Sequence, residues 1–133
     1  MAQPQFKYLK CQIQNGVLVI SITATEIHSE GMTEDLRLEL LAAVAAQENP
    51  KVVLDFQPVK LISTTCLRAL LSFRRHLRDK GGQVLLCNLA TPVAEVLFTT
   101  RLVSPTSSAL IPFSMAPDVA TAVAYLSAAS SQR

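Results

Sequence analysis

The sequence lacks several features that would assign it to a functional class at once. Its 133 residues carry a net charge of +2 with acidic and basic residues mixed, so the basic patch of a nucleic-acid-binding protein is absent. The amino terminus has no basic stretch followed by an apolar one, and the apolar run near Leu38–Ala46 is too short to span a bilayer. We therefore expect a cytoplasmic protein with neither a membrane segment nor a nucleic-acid partner.

Cysteine pairs and phosphate-binding loops are also missing. Cys11, Cys66 and Cys87 are odd in number and far apart, without a CxxC or Cys/His cluster, so neither a zinc site nor a disulfide framework is supported. Free thiols in a reducing cytosol are the simplest interpretation. The sequence contains no glycine-rich phosphate loop and no nucleophile elbow. We therefore expect no enzymatic activity, no cofactor and no metal site.

Apolar residues make up half of the chain, which is enough for one continuous core and predicts a single domain over residues 1–133. Alternating apolar positions predict strands Phe6–Ile13 and Val17–Ile22, and Asn15-Gly16 between them is a strong hairpin signal. The next segment, Thr23–Met32, is polar and irregular. A helix is then expected from an N-cap at Thr33 to about residue 47.

Strand and helix patterns alternate through the rest of the chain. The predicted elements are strand Lys51–Asp55, a turn over Phe56–Leu61, a helix from about Ser63–Cys66 to Gly81-Gly82, strand Gln83–Cys87, a helix from Thr91-Pro92 to about Arg101, strand Leu110–Phe113, and a final helix from Ser114 or Asp118. This alternation favours parallel pairing with right-handed crossovers. We therefore predict an α/β fold with four helices and a mixed sheet, in which the antiparallel first strand lies at one edge.

The helix start Ile62-Ser63-Thr64-Thr65-Cys66-Leu67 is the most informative segment. It follows a strand that ends in Asp55, and ligands and partners gather at the carboxyl ends of parallel strands. Free backbone N–H groups and the helix dipole stabilise anions at such a helix start, including a phosphate on a hydroxyl. Serine and threonine are also preferred N-caps, so a purely structural role for one hydroxyl is the alternative.

The helix that follows has two distinct sides. Its expected apolar stripe consists of Leu67, Leu70, Leu71 and Leu77. The run Arg74-Arg75-His76-Leu77-Arg78 is basic, which is typical of a solvated face and also fits a docking surface for an acidic partner.

The order of motifs resembles the STAS domain family, named for sulfate transporters and anti-sigma factor antagonists. The family pattern is an apolar strand ending in Asp, then Ile-Asp-Ser-Ser-Gly-Leu opening a helix, a Gly-Gly pair, a second apolar strand followed by Asn, and a helix opened by proline. The corresponding segments are Val52–Asp55, Ile62–Leu67, Gly81-Gly82, Val84–Leu89 and Pro92–Leu102. With the preceding hairpin and the terminal helix, the resemblance extends over nearly the whole chain.

The resemblance implies specific roles for residues of the helix start. In phosphorylated members the acceptor is the first hydroxyl residue after the motif Asp, which corresponds to Thr64, and Thr65 corresponds to the second serine. Ser63 replaces the motif Asp and Cys66 replaces the motif Gly. An acidic residue common after the second strand is replaced by His28.

The implied function is that of a bacterial regulatory module that acts in signal transduction and transcription regulation by partner switching. The expected partners are an anti-sigma factor or serine kinase-like regulator and a serine phosphatase. Phosphorylation at Thr64 would break the complex by adding charge at its centre. The residues expected to contact the partner are Asp55, Ser63, Thr64, Thr65, Cys66 and Arg68.

Two alternatives stay open. The same fold without the motif Asp is consistent with a scaffold or constitutive partner that is not phosphorylated. A function of another class is a thiol-based redox sensor or enzyme using Cys66, because a helix start lowers the pKa of a nearby thiol.

Overall fold

The computed structural model describes residues 6–45, 47, 50–99 and 114–131. This part of the chain contains seven strands and four helices. In order they are β1 (Leu9–Gln14), β2 (Val17–Ile22), β3 (Glu26–Ile27), α1 (Glu30–Val44), β4 (Lys51–Asp55), β5 (Leu61–Ile62), α2 (Thr64–Asp79), β6 (Gln83–Cys87), α3 (Thr91–Thr99), β7 (Ser114–Ala116) and α4 (Val119–Ser131).

Five strands form the main sheet in the order β1-β2-β4-β6-β7. The first pair is antiparallel and the others are parallel, so the predicted mixed sheet with β1 at one edge is confirmed. Asn15 and Gly16 connect β1 to β2 with φ values of 51° and 78°, the left-handed conformation that these two residue types tolerate best. The predicted hairpin is therefore confirmed together with its turn.

The two faces of the sheet are covered unequally. Leu18, Ile20 and Leu54 belong to the larger core on one face, which also includes buried residues of α1, α2 and α3. Val19 and Val53 point to the other face, where they pack with buried residues of α4. Alternate residues of each strand serve opposite faces, which explains why the central strands are apolar throughout.

The carboxyl end of α2 is closed by two backbone hydrogen bonds. Gly81 N donates to Arg78 O (3.0 Å) and Gly82 N donates to Leu77 O (2.7 Å), with Gly81 at φ 74°. This is a Schellman ending, and it confirms the predicted role of the glycine pair. A Cβ on Gly82 would lie 2.4 Å from Pro50 O, so the helix end packs directly against the chain entering β4.

Several predicted boundaries were wrong for identifiable reasons. Helix α1 begins four residues earlier than expected, because the Ser29 side chain accepts from Met32 N (3.1 Å) and acts as the N-cap. Thr33, the predicted cap, is instead a buried residue inside the helix. The helix ends at Val44 rather than near residue 47. Strand β1 covers Leu9–Gln14, not Phe6–Ile13.

The small sheet β3–β5 was not predicted. It lies in segments expected to be irregular and joins Glu26 to Leu61 and Ile27 to Ile62 in parallel register. Each of these short strands leads directly into a helix, β3 into α1 and β5 into α2. The pairing therefore sets the first turns of α1 and α2 side by side.

The last part of the chain differs from the expectation in detail. The predicted strand Leu110–Phe113 and the helix end at Arg101 lie outside the described residues. Ser114 belongs to β7, and α4 starts after Asp118, whose Oδ1 accepts from Thr121 N (2.8 Å). Thr91 is already helical, since Ala94 N donates to Ala90 O (2.8 Å).

Candidate functional site

Asp55 organises the carboxyl edge of the main sheet. It ends β4, is only 9% exposed, and lies in register with Ser21 of β2 and Cys87 of β6. Its Oδ1 accepts from Asn88 Nδ2 (2.9 Å) and from Gln57 N (3.0 Å), and its Oδ2 accepts from Ser21 Oγ at 3.4 Å. One carboxylate therefore fixes residues from three strand ends.

Asn88 occupies a conformation that suits this role. It follows β6 with φ 57°, a left-handed value that asparagine tolerates better than most residues. The backbone beside it is tied to the next segment, since Phe56 N donates to Cys87 O at 3.0 Å. The loops after β4 and β6 are thus held together by both side chains and backbone.

The turn from Phe56 to Ser63 is anchored along its length. Phe56 and Val59 are fully buried, and Val59 N donates to Phe56 O (2.9 Å). Lys60 N donates to Thr25 O (2.7 Å) and Ser63 N donates to Ile27 O (2.9 Å), one on each side of the β3–β5 pairing. These hydrogen bonds and buried side chains fix the backbone that carries the exposed residues of the turn.

Ser63 occupies the N-cap position of α2 without capping it through its side chain. Its backbone is extended and its carbonyl accepts from Cys66 N (3.1 Å), but its hydroxyl makes no cap hydrogen bond. Among the side chains of the described residues, Ser63 Oγ is one of two buried polar atoms without a hydrogen-bond partner. The structural-cap alternative is therefore not supported for the hydroxyl of Ser63.

The residues predicted to contact a partner separate into an exposed and a buried group. Thr64 and Arg68 are exposed on the first turns of α2, and Thr65 is half-buried. Cys66 is fully buried and Asp55 almost so, and neither presents side-chain surface comparable to that of Thr64 and Arg68. His28 is exposed and follows Ile27 of β3 directly, which brings it to the same edge.

The buried thiols are not poised for reaction. Burial raises the pKa of the Cys66 thiol to about 12, and burial together with the nearby Asp55 carboxylate raises the pKa of Cys87 to about 12. The thiolate is the reactive form, and it is scarce at neutral pH when the pKa is this high. These values argue against the redox-sensor or enzyme alternative at Cys66.

Two grooves flank this edge. One, of about 690 Å³, lies beside Asn88 and is lined by Gln57, Leu89, Ala90, Ala94 and residues 115–117. The other, of about 560 Å³, runs between α1 and α2 next to Thr65 and Arg68.

Within the described ranges, no three His, Cys, Asp or Glu side chains lie close enough to hold a metal ion. In the same ranges, no helix is both long and apolar enough to cross a membrane.

The hydrogen-bond network of Asp55 was missed at the sequence level except for Asp55 itself. The asparagine after β6 was part of the family pattern, but nothing in the sequence linked it to Asp55. Ser21 and Asn88 are 34 and 33 residues away along the chain, so only the strand register brings them to the carboxylate.

Replacing Asp55 with alanine is expected to destabilise the protein by about 2–3 kcal/mol, because three donors, among them the half-buried Ser21 and Asn88, lose their acceptor. Asp55→Asn, which keeps one acceptor oxygen, should cost less. Urea unfolding measures both effects. Ser21→Ala, which removes only the 3.4 Å contact, is the control and should cost less than about 1 kcal/mol. An Asp55→Ala protein as stable as wild type would contradict the assigned role.

Comparisons with known proteins agree on one family. The sequence model of the STAS domain matches residues 8–121, whereas no curated protein matches the chain. An anti-sigma-factor antagonist (STAS) domain protein from Planctomyces limnophilus has a TM-score of 0.72 at 19% identity, covering 89% of this chain and 96% of its own. A putative anti-sigma factor antagonist from Thermotoga maritima has a TM-score of 0.71 at 15% identity, covering 90% and 94%.

A membrane transporter contains a similar fold as one part of a larger chain. The murine anion transporter Solute Carrier 26 family member A9 aligns over 88% of this chain and 18% of its own, with a TM-score of 0.71 at 16% identity. At these identities the structural matches establish the fold. They do not establish what the fold binds.

Proposed function

Because the chain belongs to the STAS domain family, we propose that it is a bacterial regulatory module that binds a serine kinase-like regulator of the anti-sigma type. The similarity to anti-sigma factor antagonists supports this proposal. Docking of the module would displace the transcription factor that the regulator holds. Phosphorylation of Thr64 would end the complex, and a serine phosphatase would restore it. The observation that supports this proposal most directly is that Thr64, the first residue of α2, is exposed and carries a hydroxyl group.

The surface proposed to dock the regulator consists of Lys60, Leu61, Thr64 and Arg68, and we call it the switch face. All four residues are exposed, and Leu61 is 46% exposed despite being apolar. An exposed leucine between two cations fits a partner surface with an apolar pocket and an acidic rim. The anchored turn beneath it fixes the backbone of Lys60 and Leu61 and the start of α2.

A phosphate on Thr64 would neutralise the positive charge of this face. It brings a charge of about −1.5 to −2 at neutral pH, which offsets the charges of Lys60 and Arg68. Arg68 lies four residues after Thr64 on the same side of α2, so the phosphate can pair with it and withdraw it from the partner. The positive end of the helix dipole further stabilises the phosphorylated state of the free module.

A second candidate function is a constitutive partner that never becomes phosphorylated. The observation in its favour is Ser63, which stands where phosphorylated relatives carry the motif Asp and whose hydroxyl is buried. This role keeps the switch face and removes its regulation. A substitution that imitates phosphate at Thr64 separates the two candidates.

The phosphorylation step predicts a defined mass change. Incubation with ATP and each anti-sigma-type serine kinase of the source genome should add one phosphate to the wild-type chain with at least one kinase. Thr64→Ala should receive none, and Thr65→Ala, the neighbouring control, should still receive it. Intact mass spectrometry distinguishes these outcomes. No phosphate on the wild type, or equal phosphate on Thr64→Ala, would contradict the switch.

A further inference from the structure

Strand β1 forms one edge of the main sheet. Within the described sheet it pairs only with β2, in a register that runs without interruption from the Leu9–Ile22 pair to the Gln14–Val17 pair. Natural edge strands usually block further pairing with proline, a bulge or several charges. Strand β1 contains neither proline nor bulge, and Lys10 is its single charged residue. This edge is therefore open to pairing with another strand.

The hairpin register identifies the backbone groups that point outward from the edge. In an antiparallel pair, alternate residues exchange both backbone hydrogen bonds with the partner strand, and the residues between them point away from it. The two-residue turn makes Gln14 and Val17 a bonded pair. Just before β1, Thr23 N donates to Tyr8 O at 2.8 Å. Both observations place the bonded groups of the even-numbered residues on the β2 side.

Three residues of β1 therefore direct their backbone groups to the free edge. They are Leu9, Cys11 and Ile13, whose N–H and C=O groups bond to no other segment within the described ranges. The side chains of Leu9 and Cys11 contribute to the larger core, so Ile13 lies on the same face of the sheet. Ile13 is nevertheless 67% exposed, more than any other large apolar side chain of the described residues. An uncovered apolar side chain thus lies beside a row of unpaired backbone groups.

We propose that the free edge of β1 pairs with β1 of a second copy of the chain, antiparallel, about a two-fold axis perpendicular to the sheet. Such an axis reverses the strand direction and keeps the core faces of both sheets on the same side. With Cys11 opposite Cys11 of the second copy, Leu9 lies opposite Ile13 on both sides of the axis. Each of these pairs can form two backbone hydrogen bonds, and the two five-stranded sheets become continuous.

The side chains of the edge suit a copy of the same strand. On the core face, Leu9 and Ile13 meet across the junction, so Ile13 loses part of its exposure to water. On the other face, Lys10 lies opposite Gln12 of the second copy, so no like charges are brought opposite each other. A strand with a positive charge opposite Lys10, or with polar side chains on the core face, would fit less well. The alternation of apolar and polar side chains thus continues across the junction.

One carboxylate lies near the junction, but it does not oppose the pairing. Glu39 of α1 accepts from Tyr8 N through its Oε1, at 2.9 Å. Tyr8 is three residues from the axis at Cys11, about 10 Å along the strand, and Tyr8 of the second copy is equally far on the other side. The two Glu39 carboxylates are thus about 20 Å apart, beyond the screening length of about 8 Å at physiological salt. Their mutual repulsion is therefore small.

The length of β1 predicts weak association. Its six residues span about 20 Å, and an edge contact of this length with its flanking side chains buries on the order of 800 Å² in total. This area is below the usual size of specific interfaces and is typical of transient ones. We expect a dissociation constant on the order of 0.1–1 mM, which means a dimer that is populated only at high concentration.

Proline at position 13 tests the hydrogen-bonded edge. Ile13→Pro removes an outward N–H and places a ring at the edge, whereas the bonds between β1 and β2 do not use that N–H. We expect self-association at least about tenfold weaker than that of wild type, measured by sedimentation equilibrium up to about 1 mM. The control Ile13→Thr keeps the N–H and the β-branched shape, and should weaken association only about threefold. Urea unfolding checks that both variants are folded.

Cross-linking at Cys11 tests the register independently of that variant, in the unaltered chain. Opposite residues of a bonded antiparallel pair have Cα atoms about 5.5 Å apart, so a short bismaleimide should join the two Cys11 thiols. Burial and the nearby Glu39 raise the pKa of the Cys11 thiol, so the reaction is run at mildly alkaline pH. Cys66 and Cys87 are buried and should not react.

A cysteine at the end of the strand is the matched control. Gln14→Cys combined with Cys11→Ser offers a half-buried thiol as Cys11 does, but in the dimer the two copies of position 14 lie about 20 Å apart. This variant should yield little covalent dimer, and Cys11→Ser alone should yield none. A monomeric wild-type chain, a folded Ile13→Pro protein that associates as wild type does, or equal cross-linking at positions 11 and 14 would each overturn the proposal. Only the purified chain is needed, so the outcome does not depend on the regulator or on Thr64.

Discussion

Replacing Gly82 with alanine is expected to destabilise the protein by about 3 kcal/mol, the largest stability change proposed for a single methyl group in this chain. The added Cβ would lie 2.4 Å from Pro50 O, and backbone hydrogen bonds hold both residues in place. Pro50 O accepts from Gln83 N (2.9 Å), while Gly82 N donates to Leu77 O. The clash therefore disturbs the end of α2 and the β4–β6 pairing together.

Thermal and urea unfolding measure this effect, and Gly31→Ala is its matched control. Gly31 lies in α1, and a Cβ there meets nothing within 4 Å. Alanine is the better helix former, so this variant should gain up to about 1 kcal/mol. For a chain of this length, about 3 kcal/mol corresponds to a fall in Tm of roughly 10 °C. A Gly82→Ala protein as stable as wild type would show that Pro50 moves aside freely.

A glutamate at position 64 is expected to weaken binding to the proposed kinase-like regulator about a hundredfold, close to 2.7 kcal/mol. The carboxylate places negative charge in the centre of the switch face, beside Arg68, where a docked partner excludes water. Thr64→Ala should bind within about threefold of wild type, since it removes no charge. Isothermal titration calorimetry with the purified regulator provides the dissociation constants.

Thr91→Glu is the matched control for this substitution. Thr91 is also an exposed threonine at the first position of a helix, α3, but it lies outside the switch face. Its variant should bind as wild type does. Equal affinity of Thr64→Glu and wild type would favour the constitutive partner, and equal loss for Thr91→Glu would point to a general charge effect.

The central strands were predictable because their signal is local. Strands β2, β4 and β6 begin and end at the predicted residues, since each is a run of apolar residues bounded by turn residues. The hairpin followed from Asn15-Gly16 for the same reason. Where one short segment decides its own conformation, reading the sequence alone was sufficient.

The errors arose where distant segments decide the outcome. The strands of the β3–β5 sheet have two residues each, too few for any periodic pattern, and exist because the loops that contain them meet. Ser29 and Thr33 are both acceptable N-caps by sequence. In the structure the Ser29 hydroxyl accepts from Met32 N, and Thr33 is buried inside α1. The apolar spacing predicted that Leu71 faces the core. In the structure Leu71 is exposed, because the core contacts only the neighbouring side of α2.

The same difference between local signals and long-range contacts applies to the candidate site. The exposure of Thr64 follows from its place at a helix start, and the family resemblance singled it out among three hydroxyl residues. The inert state of Cys66 depends on its complete burial, which sequence spacing does not report. The partners of Asp55 depend on strand register. The sequence predicted the properties of a residue that acts alone. It did not predict properties, such as the pKa of a thiol or the hydrogen bonds of a carboxylate, that depend on neighbours in space.

The anchored turn before α2 has a consequence for conformational entropy. Backbone N–H groups of Phe56, Val59, Lys60 and Ser63 are already hydrogen-bonded in the free chain. Ordering a loose segment costs about 1–2 kcal/mol per residue, a cost that a binding partner would otherwise have to offset. In this chain the backbone of the turn is already ordered when the domain folds. A partner that contacts Leu61, Thr64 and Arg68 would have to offset the ordering of their side chains alone, so even a small face could bind it specifically.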